Sequence, residues 1–160
     1  MSIQTAGGTL TVNYAFLQEI KEVNEELWQL QNRIRQLCRE SAAIHHRPID
    51  FISLLEELRD QLALQFALEE AFGYFEDPVE VAPRLCELAY CLRAEHQQLY
   101  LQVSHLVERS LEILDSQSSS ALVLEVVGGC VAFDDQLCRH ESREVAMIQA
   151  EYDDDLEVGD

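Results

Sequence analysis

Turn-forming residues are scarce in this chain, with 3 Pro and 6 Gly in 160 residues. That scarcity excludes a fold of many short strands and tight turns, and it favours long helices with few connections. Basic residues are scarce as well, with 11 Lys and Arg against 30 Asp and Glu and a formal charge of -19. With no basic stripe, the chain repels phosphate backbones and anionic lipid surfaces, so neither nucleic acid nor membrane is an expected partner. A basic protein partner is compatible with such a charge. No CxxC pair occurs, and the five cysteines, Cys38, Cys86, Cys91, Cys130 and Cys138, are odd in number. They are expected to be reduced thiols of a cytoplasmic protein, three of them in the core, rather than disulfides or zinc ligands. No apolar run is long enough to span a bilayer, and residues 1–13 lack the basic and apolar regions of a signal peptide. There is no nucleophile beside a base, no phosphate loop and no HxE…CxxC pattern. An independent enzymatic activity is therefore not expected.

What is abundant is helical periodicity. Apolar residues recur in steps of three and four along four segments, which predicts one all-α domain over residues 1–160, an antiparallel up-down-up-down four-helix bundle. The first helix is expected over 13–41, with Phe16, Leu17, Ile20, Val23, Leu27, Leu30, Ile34 and Leu37 inward and Trp28 packed at the flank. Pro48 pushes Arg47 out of helical angles and ends the segment. The second is expected over 50–72, with Phe51, Leu54, Leu55, Leu58, Leu62 and Phe66 inward and Ser53–Glu56 as a capping box. The third is expected over 78–115, capped by Asp77 with Pro78 in its first turn and an irregularity at Pro83. The fourth is expected over 121–151, capped by Ser120 and weakened at Gly128–Gly129. The acidic residues 152–160 read as a frayed tail, solvated rather than cation-binding.

Polar residues interrupt each apolar stripe. Asn24 does so in the first helix, Gln65 and Glu69 in the second, His96 and Tyr100 in the third, and His140 and Glu144 in the fourth. At ~1.5 Å rise per residue, Asn24 stands level with Gln65, and His96 level with His140. A buried polar group without a partner costs about 1–3 kcal/mol, so groups at one height must form one satisfied cluster or bind something. By contrast, His45 and His46 fall in the first connection and His105 lies off the stripe, so these three are expected on the surface.

The segments LRDQLALQFALEEAFGYFE, RAEHQQLYLQ and LCRHESREVAMIQAEYDDD resemble the second, third and fourth helices of the hemerythrin-like (HHE cation-binding) family. The resemblance implies a di-iron site with one iron bound by imidazoles of the first two helices and the other by those of the last two. Carboxylates of the second and fourth helices bridge the irons. Here Asn24, Gln65 and Tyr100 stand at three of the seven ligand positions, while Glu69, His96, His140 and Glu144 match. The spacing of four between His140 and Glu144 departs from that of the oxygen carriers, which leaves Glu141 as a rival. A di-iron centre is accordingly not expected. Two alternatives stay open: one iron, manganese or zinc ion on Glu69, His96, His140 and Glu144 with Tyr100 as a phenolate ligand or hydrogen-bond donor, or the same residues bonded to one another without metal. The resemblance implies a sensing, storage or regulatory role. The competing class is a metal-free acidic bundle that binds a protein. If the family's cavity is retained, Asn24→His, Gln65→His and Tyr100→His together are expected to restore two irons.

Overall fold

The computed structural model describes residues 11–75, 83–115, 117 and 119–158. These are mostly helical, with one two-residue ladder and short non-helical junctions between the helices. Residues 13–41 do not form one helix. Helix α1 (Tyr14–Val23) is capped by Asn13, whose side chain accepts from the Phe16 amide. It stops at Asn24, where φ is -88° and ψ is 61°. The Asn24 carboxamide then accepts from the Leu27 amide at 3.0 Å and starts α2 (Glu25–Arg39). Asn competes with the helical backbone in this way and is a strong N-cap, which is why an inward Asn broke a helix expected to be continuous. A second break at Glu40 (φ -117°, ψ 65°) is followed by α3 (Ser41–His46).

Arg47 is non-helical, at φ -135° and ψ 61°, as the following proline requires. Pro48 opens α4 (Pro48–Leu68), so Ser53 and Glu56 lie inside the helix and form no cap. From Glu69 to Gly73 the chain winds as a π-helical turn. It then enters β2 (Tyr74–Phe75), which pairs antiparallel with β1 (Thr11–Val12), with Val12 opposite Tyr74. The Asn13 amide donates to the Gly73 carbonyl at 2.7 Å and ties the two ends of this region together. A Cβ on Gly73 would lie 3.1 Å from Leu17 Cδ1, so the turn passes close against α1.

Helix α5 is described from Pro83 to Leu111, and the expected start at Asp77–Pro78 lies outside the described residues. A short 3₁₀ turn, Glu112–Leu114, ends it. Helix α6 spans Ser120–Val158, so Ser120 is its first residue rather than its cap, and the acidic segment expected to fray is helical to Val158. Among the described residues no helix is long and apolar enough to cross a membrane.

Two apolar clusters form the interior. The larger joins α2, α3, α4, α5 and α6 around Leu27, Leu55, Leu62, Val103 and Phe133. The smaller joins α1, β2, α5 and α6 around Leu17, Tyr74, Leu92 and Met147. All six inward residues expected in α4 are buried, as are Val123, Val126, Cys130, Phe133, Leu137 and Ile148 in α6. Cysteine placement differs in part: Cys130 is buried, Cys38 and Cys138 are half-buried, and none of the five forms a disulfide. Phe16, Val23 and Trp28 are exposed rather than packed. The break at Asn24 interrupts the 100° phase on which a continuous stripe through 13–41 depends.

Gly128 and Gly129 sit within unbroken helix. A Cβ on Gly129 would lie 2.6 Å from Leu106 Cδ2, so this glycine lets α6 approach α5 closely, whereas a Cβ on Gly128 meets nothing. Gly128→Ala should therefore stabilise the fold by about 0.5–1 kcal/mol. Gly129→Ala should gain less or lose, because Leu106 must move. Paired thermal melts would check this order, and equal gains at both sites would contradict the assigned close approach.

Candidate metal centre

A layer of polar side chains lies between the two apolar clusters. Glu69 enters it at the start of the π-helical turn, His96 from the middle of α5, and His140 and Glu144 from successive turns of α6. All four are buried, Glu69 and Glu144 completely. One ligand atom from each of the four lies within 4.8 Å of the others. Phe66 stacks on the His96 ring at 4.2 Å, and the two imidazoles stand 5.0 Å apart, edge to face.

Each imidazole is held at both nitrogens by carboxylates. On the outside, His96 Nδ1 lies 3.1 Å from Glu70 Oε1, and His140 Nδ1 lies 2.8 Å from Glu95 Oε2. Arg143 is ion-paired with the same Glu95. On the inside, His96 Nε2 is 3.1 Å from Glu69 Oε2 and 3.4 Å from Glu144 Oε1, and His140 Nε2 is 2.7 Å from Glu144 Oε1. Ionised carboxylates only accept, so the Nδ1 atoms donate outward. Each inner Nε2 then faces a second acceptor, and a proton or a cation must stand between them.

The far side of the two carboxylates faces a different group. The Lys21 ammonium pairs with Glu144 Oε2 and lies 3.9 Å from Glu69 Oε1. Gln65 Nε2 donates to the same Glu69 oxygen at 2.9 Å, and Asn24 Nδ2 donates to Gln65 Oε1 at 2.6 Å. Glu69 and Glu144 are thus each divided, with one oxygen toward the imidazoles and the other toward Lys21. Tyr74 completes the shell by donating to Glu144 Oε1 at 3.0 Å.

Burial alone would lower the His96 pKa, but its hydrogen bonds to Glu144 and Glu69 outweigh that and raise it to about 9. Burial would likewise lower Lys21, and the charges of Glu144 and Glu69 reverse the effect and raise it above its ordinary value. Burial would raise Glu144, yet the bonds from His140 and His96 and the charge of Lys21 hold it well below the usual carboxylate range. Burial, reinforced by the same acids, pushes the Tyr74 phenol up, so it stays a donor. Two buried carboxylates are therefore matched by the Lys21 ammonium and the His96 imidazolium.

The donor set also fits a metal ion. Glu69 Oε2, Glu144 Oε2 and His140 Nε2 are buried without a well-directed hydrogen bond, although Lys21 stands beside the second. Two imidazoles and two carboxylates suit a borderline divalent ion such as iron, manganese or zinc. Carboxylates holding the outer nitrogens of metal-binding histidines are the usual second layer of such sites.

Glu69, His96, His140 and Glu144 are brought together as the sequence pattern suggested, and Gln65 and Asn24 join them through hydrogen bonds. Glu144, not Glu141, is the α6 carboxylate in the group. Glu141 lies close by, with its carboxyl raised by burial. Tyr100, expected in the group, is 39% exposed and so is not buried with it. The tyrosine that reaches the cluster is Tyr74, delivered by the π-helical turn and β2. His45, His46 and His105 are exposed. Lys21, Glu70, Tyr74 and Glu95 are the participants that stripe analysis missed. Lys21 did carry a signal, because it is the only lysine in the chain and lies one turn before Asn24.

No family model, curated protein or solved structure matches this chain.

The metal-free protein should have a defined pH response. A raised His96 contributes stability in full below its ordinary pKa of 6.5 and loses it as pH climbs through about 9. A depressed Glu144 contributes above its ordinary 4.5 and loses that on acidification through its lower folded pKa. Denaturant midpoints should fall on both flanks, and His96→Gln should flatten the alkaline one. Lys21→Met should cost about 3–5 kcal/mol, since it strips one cation from a buried pair of carboxylates. A neutral effect of Lys21→Met would contradict the charge balance.

Proposed function

We propose that this chain is a hemerythrin-like protein that keeps one half of a two-metal site and fills the other half with the Lys21 ammonium. On this reading Glu69, His96, His140 and Glu144 hold one iron, manganese or zinc ion. The observation that carries it is the double grip on each imidazole, which turns both Nε2 atoms toward carboxylate oxygens. Such an arrangement calls for a positive centre between them. A bound ion would supply that charge, and His96 would bind it as the neutral imidazole, which would make the site responsive to metal supply. A sensing or storage role in the cytoplasm follows better than catalysis, because no cluster residue serves as a nucleophile with its own base.

On the same reading the helices form an up-down-up-down bundle, and two pairs of contacts support it. Arg109 meets Glu125 while Glu95 meets His140, a descending register expected of antiparallel α5 and α6. Lys21 meets Glu144 while Arg35 meets Asp134, the same register for α1–α2 against α6. Under this reading Asn24→His and Gln65→His cannot restore a second ion while Lys21 occupies that half. Tyr100→His adds nothing, because Tyr100 lies outside the cluster.

Untagged full-length protein, stripped with chelator and titrated without oxygen with iron(II), manganese(II) or zinc(II), should bind one ion per chain. His96→Ala or His140→Ala should abolish uptake, and Glu70→Gln or Glu95→Gln should weaken it by roughly 10- to 100-fold. Affinity should rise as pH approaches 9, where His96 gives up its proton. Absence of uptake, or uptake indifferent to both histidines, would overturn the proposal.

One surface favours a second reading. Phe16, Val23, Leu64, Leu68 and Phe72 are exposed along the groove between α1 and α4, beside Asn24 and Gln65. Contiguous apolar surface of this kind suits a protein partner, with basic residues at its rim to match the acidic chain. A chain that binds no metal would be assigned this interaction role instead.

A further inference from the structure

A separate cavity of about 240 Å³ opens into the larger apolar cluster beside α2 and α6. None of Glu69, His96, His140 and Glu144 lines it. Its wall is formed by Ile34, Leu58, Leu106, Phe133 and Leu137, with Cys130 at one side. All six are buried. Arg35, Arg39 and Asp134 also line the cavity, and the one uncharged polar residue buried in its wall is Gln31, only 6% exposed. Its Nε2 has no hydrogen-bond partner. A buried donor without an acceptor is uncommon and costly, and it invites an explanation.

We propose that this cavity is a binding site for a small uncharged molecule with an apolar body and one carbonyl-type acceptor, which takes the free Gln31 N–H. Size sets the first limit. A dry cavity of ~150 Å³ holds benzene, so this one accommodates a body of about nine or ten non-hydrogen atoms. Charge sets the second. Of the two lining cations, Arg39 is exposed to solvent, and Arg35 is already neutralised by Asp134 through two bonds, Nε to Oδ2 at 2.7 Å and Nη2 to Oδ1 at 2.9 Å. Arg35 Nη2 also contacts Cys138 Sγ at 3.3 Å. The interior donor is a neutral amide, and a chain of charge -19 repels anions at long range. A neutral acceptor therefore satisfies Gln31 without placing an uncompensated charge in the apolar wall. Specificity would come from that single bond, as is usual in apolar pockets with few polar groups.

The test uses two probes of equal size, acetophenone and cumene, which differ in the presence of a carbonyl. Calorimetric titration of the full chain should show acetophenone binding roughly 2- to 12-fold more tightly than cumene, the range expected of one net hydrogen bond. Shifts of Ile34 and Leu58 methyl resonances should accompany binding. Gln31→Leu should remove or reverse the preference while leaving cumene bound, and Cys130→Leu, which fills the space, should weaken both probes. Retained helicity would be confirmed for each variant by circular dichroism. Failure of both probes to bind the parent protein, or a carbonyl preference unchanged in Gln31→Leu, would overturn the proposal.

Discussion

Two carboxylates with no exposed surface, Glu69 and Glu144, set the terms for the centre of this molecule. An ionised pair taken out of water carries a desolvation penalty of several kcal/mol per ion, and it persists only where cations and donors are supplied at close range. Here the supply comes from both sides. Lys21 stands on one side and the two imidazoles on the other, while Gln65 donates to the Glu69 oxygen facing Lys21 and Tyr74 to the Glu144 oxygen facing the imidazoles. The apolar clusters above and below keep the layer dry, which strengthens these attractions and makes the loss of any cation expensive. Stability therefore rests on the same two side chains that the proposed ion would use.

Local backbone departures serve this layer. The break at Asn24 ends α1 one turn after Lys21 and frees the Asn24 carboxamide both to cap α2 and to orient Gln65. The π-helical turn begins at Glu69, so consecutive acids take different tasks, Glu69 within the cluster and Glu70 on the outer nitrogen of His96. The same turn hands the chain to β2 and brings Tyr74 over Glu144. π-Helical segments occur often at functional sites, and here the extra residue per turn has an identifiable use.

The helices were largely legible because α4, α5 and α6 carry long, regular apolar stripes, and His96 and His140 interrupt those stripes at matching heights. Periodicity could not show the Asn24 break, since an inward Asn fits a continuous stripe as well as it fits a cap. It also placed Tyr100 inward, although four residues after His96 the stripe is already filled by Leu99 and Val103, which are buried. The outer acids Glu70 and Glu95 adjoin cluster positions in sequence, so a stripe passes over them. Lys21 was obscured for a chemical reason: a search for metal ligands looks for imidazole and carboxylate, while an ammonium satisfies the same carboxylates with its own charge and is no ligand.

The proposed one-metal site beside Lys21 is most directly examined by a crystal structure of the untagged protein loaded with manganese(II), using anomalous scattering to locate the ion. The account predicts a single anomalous peak in the cluster, bounded by His96, His140, Glu69 and Glu144, with the Lys21 ammonium still paired to the opposite oxygens of the two carboxylates. Two peaks with Lys21 swung outward, or no peak within the cluster, would contradict it.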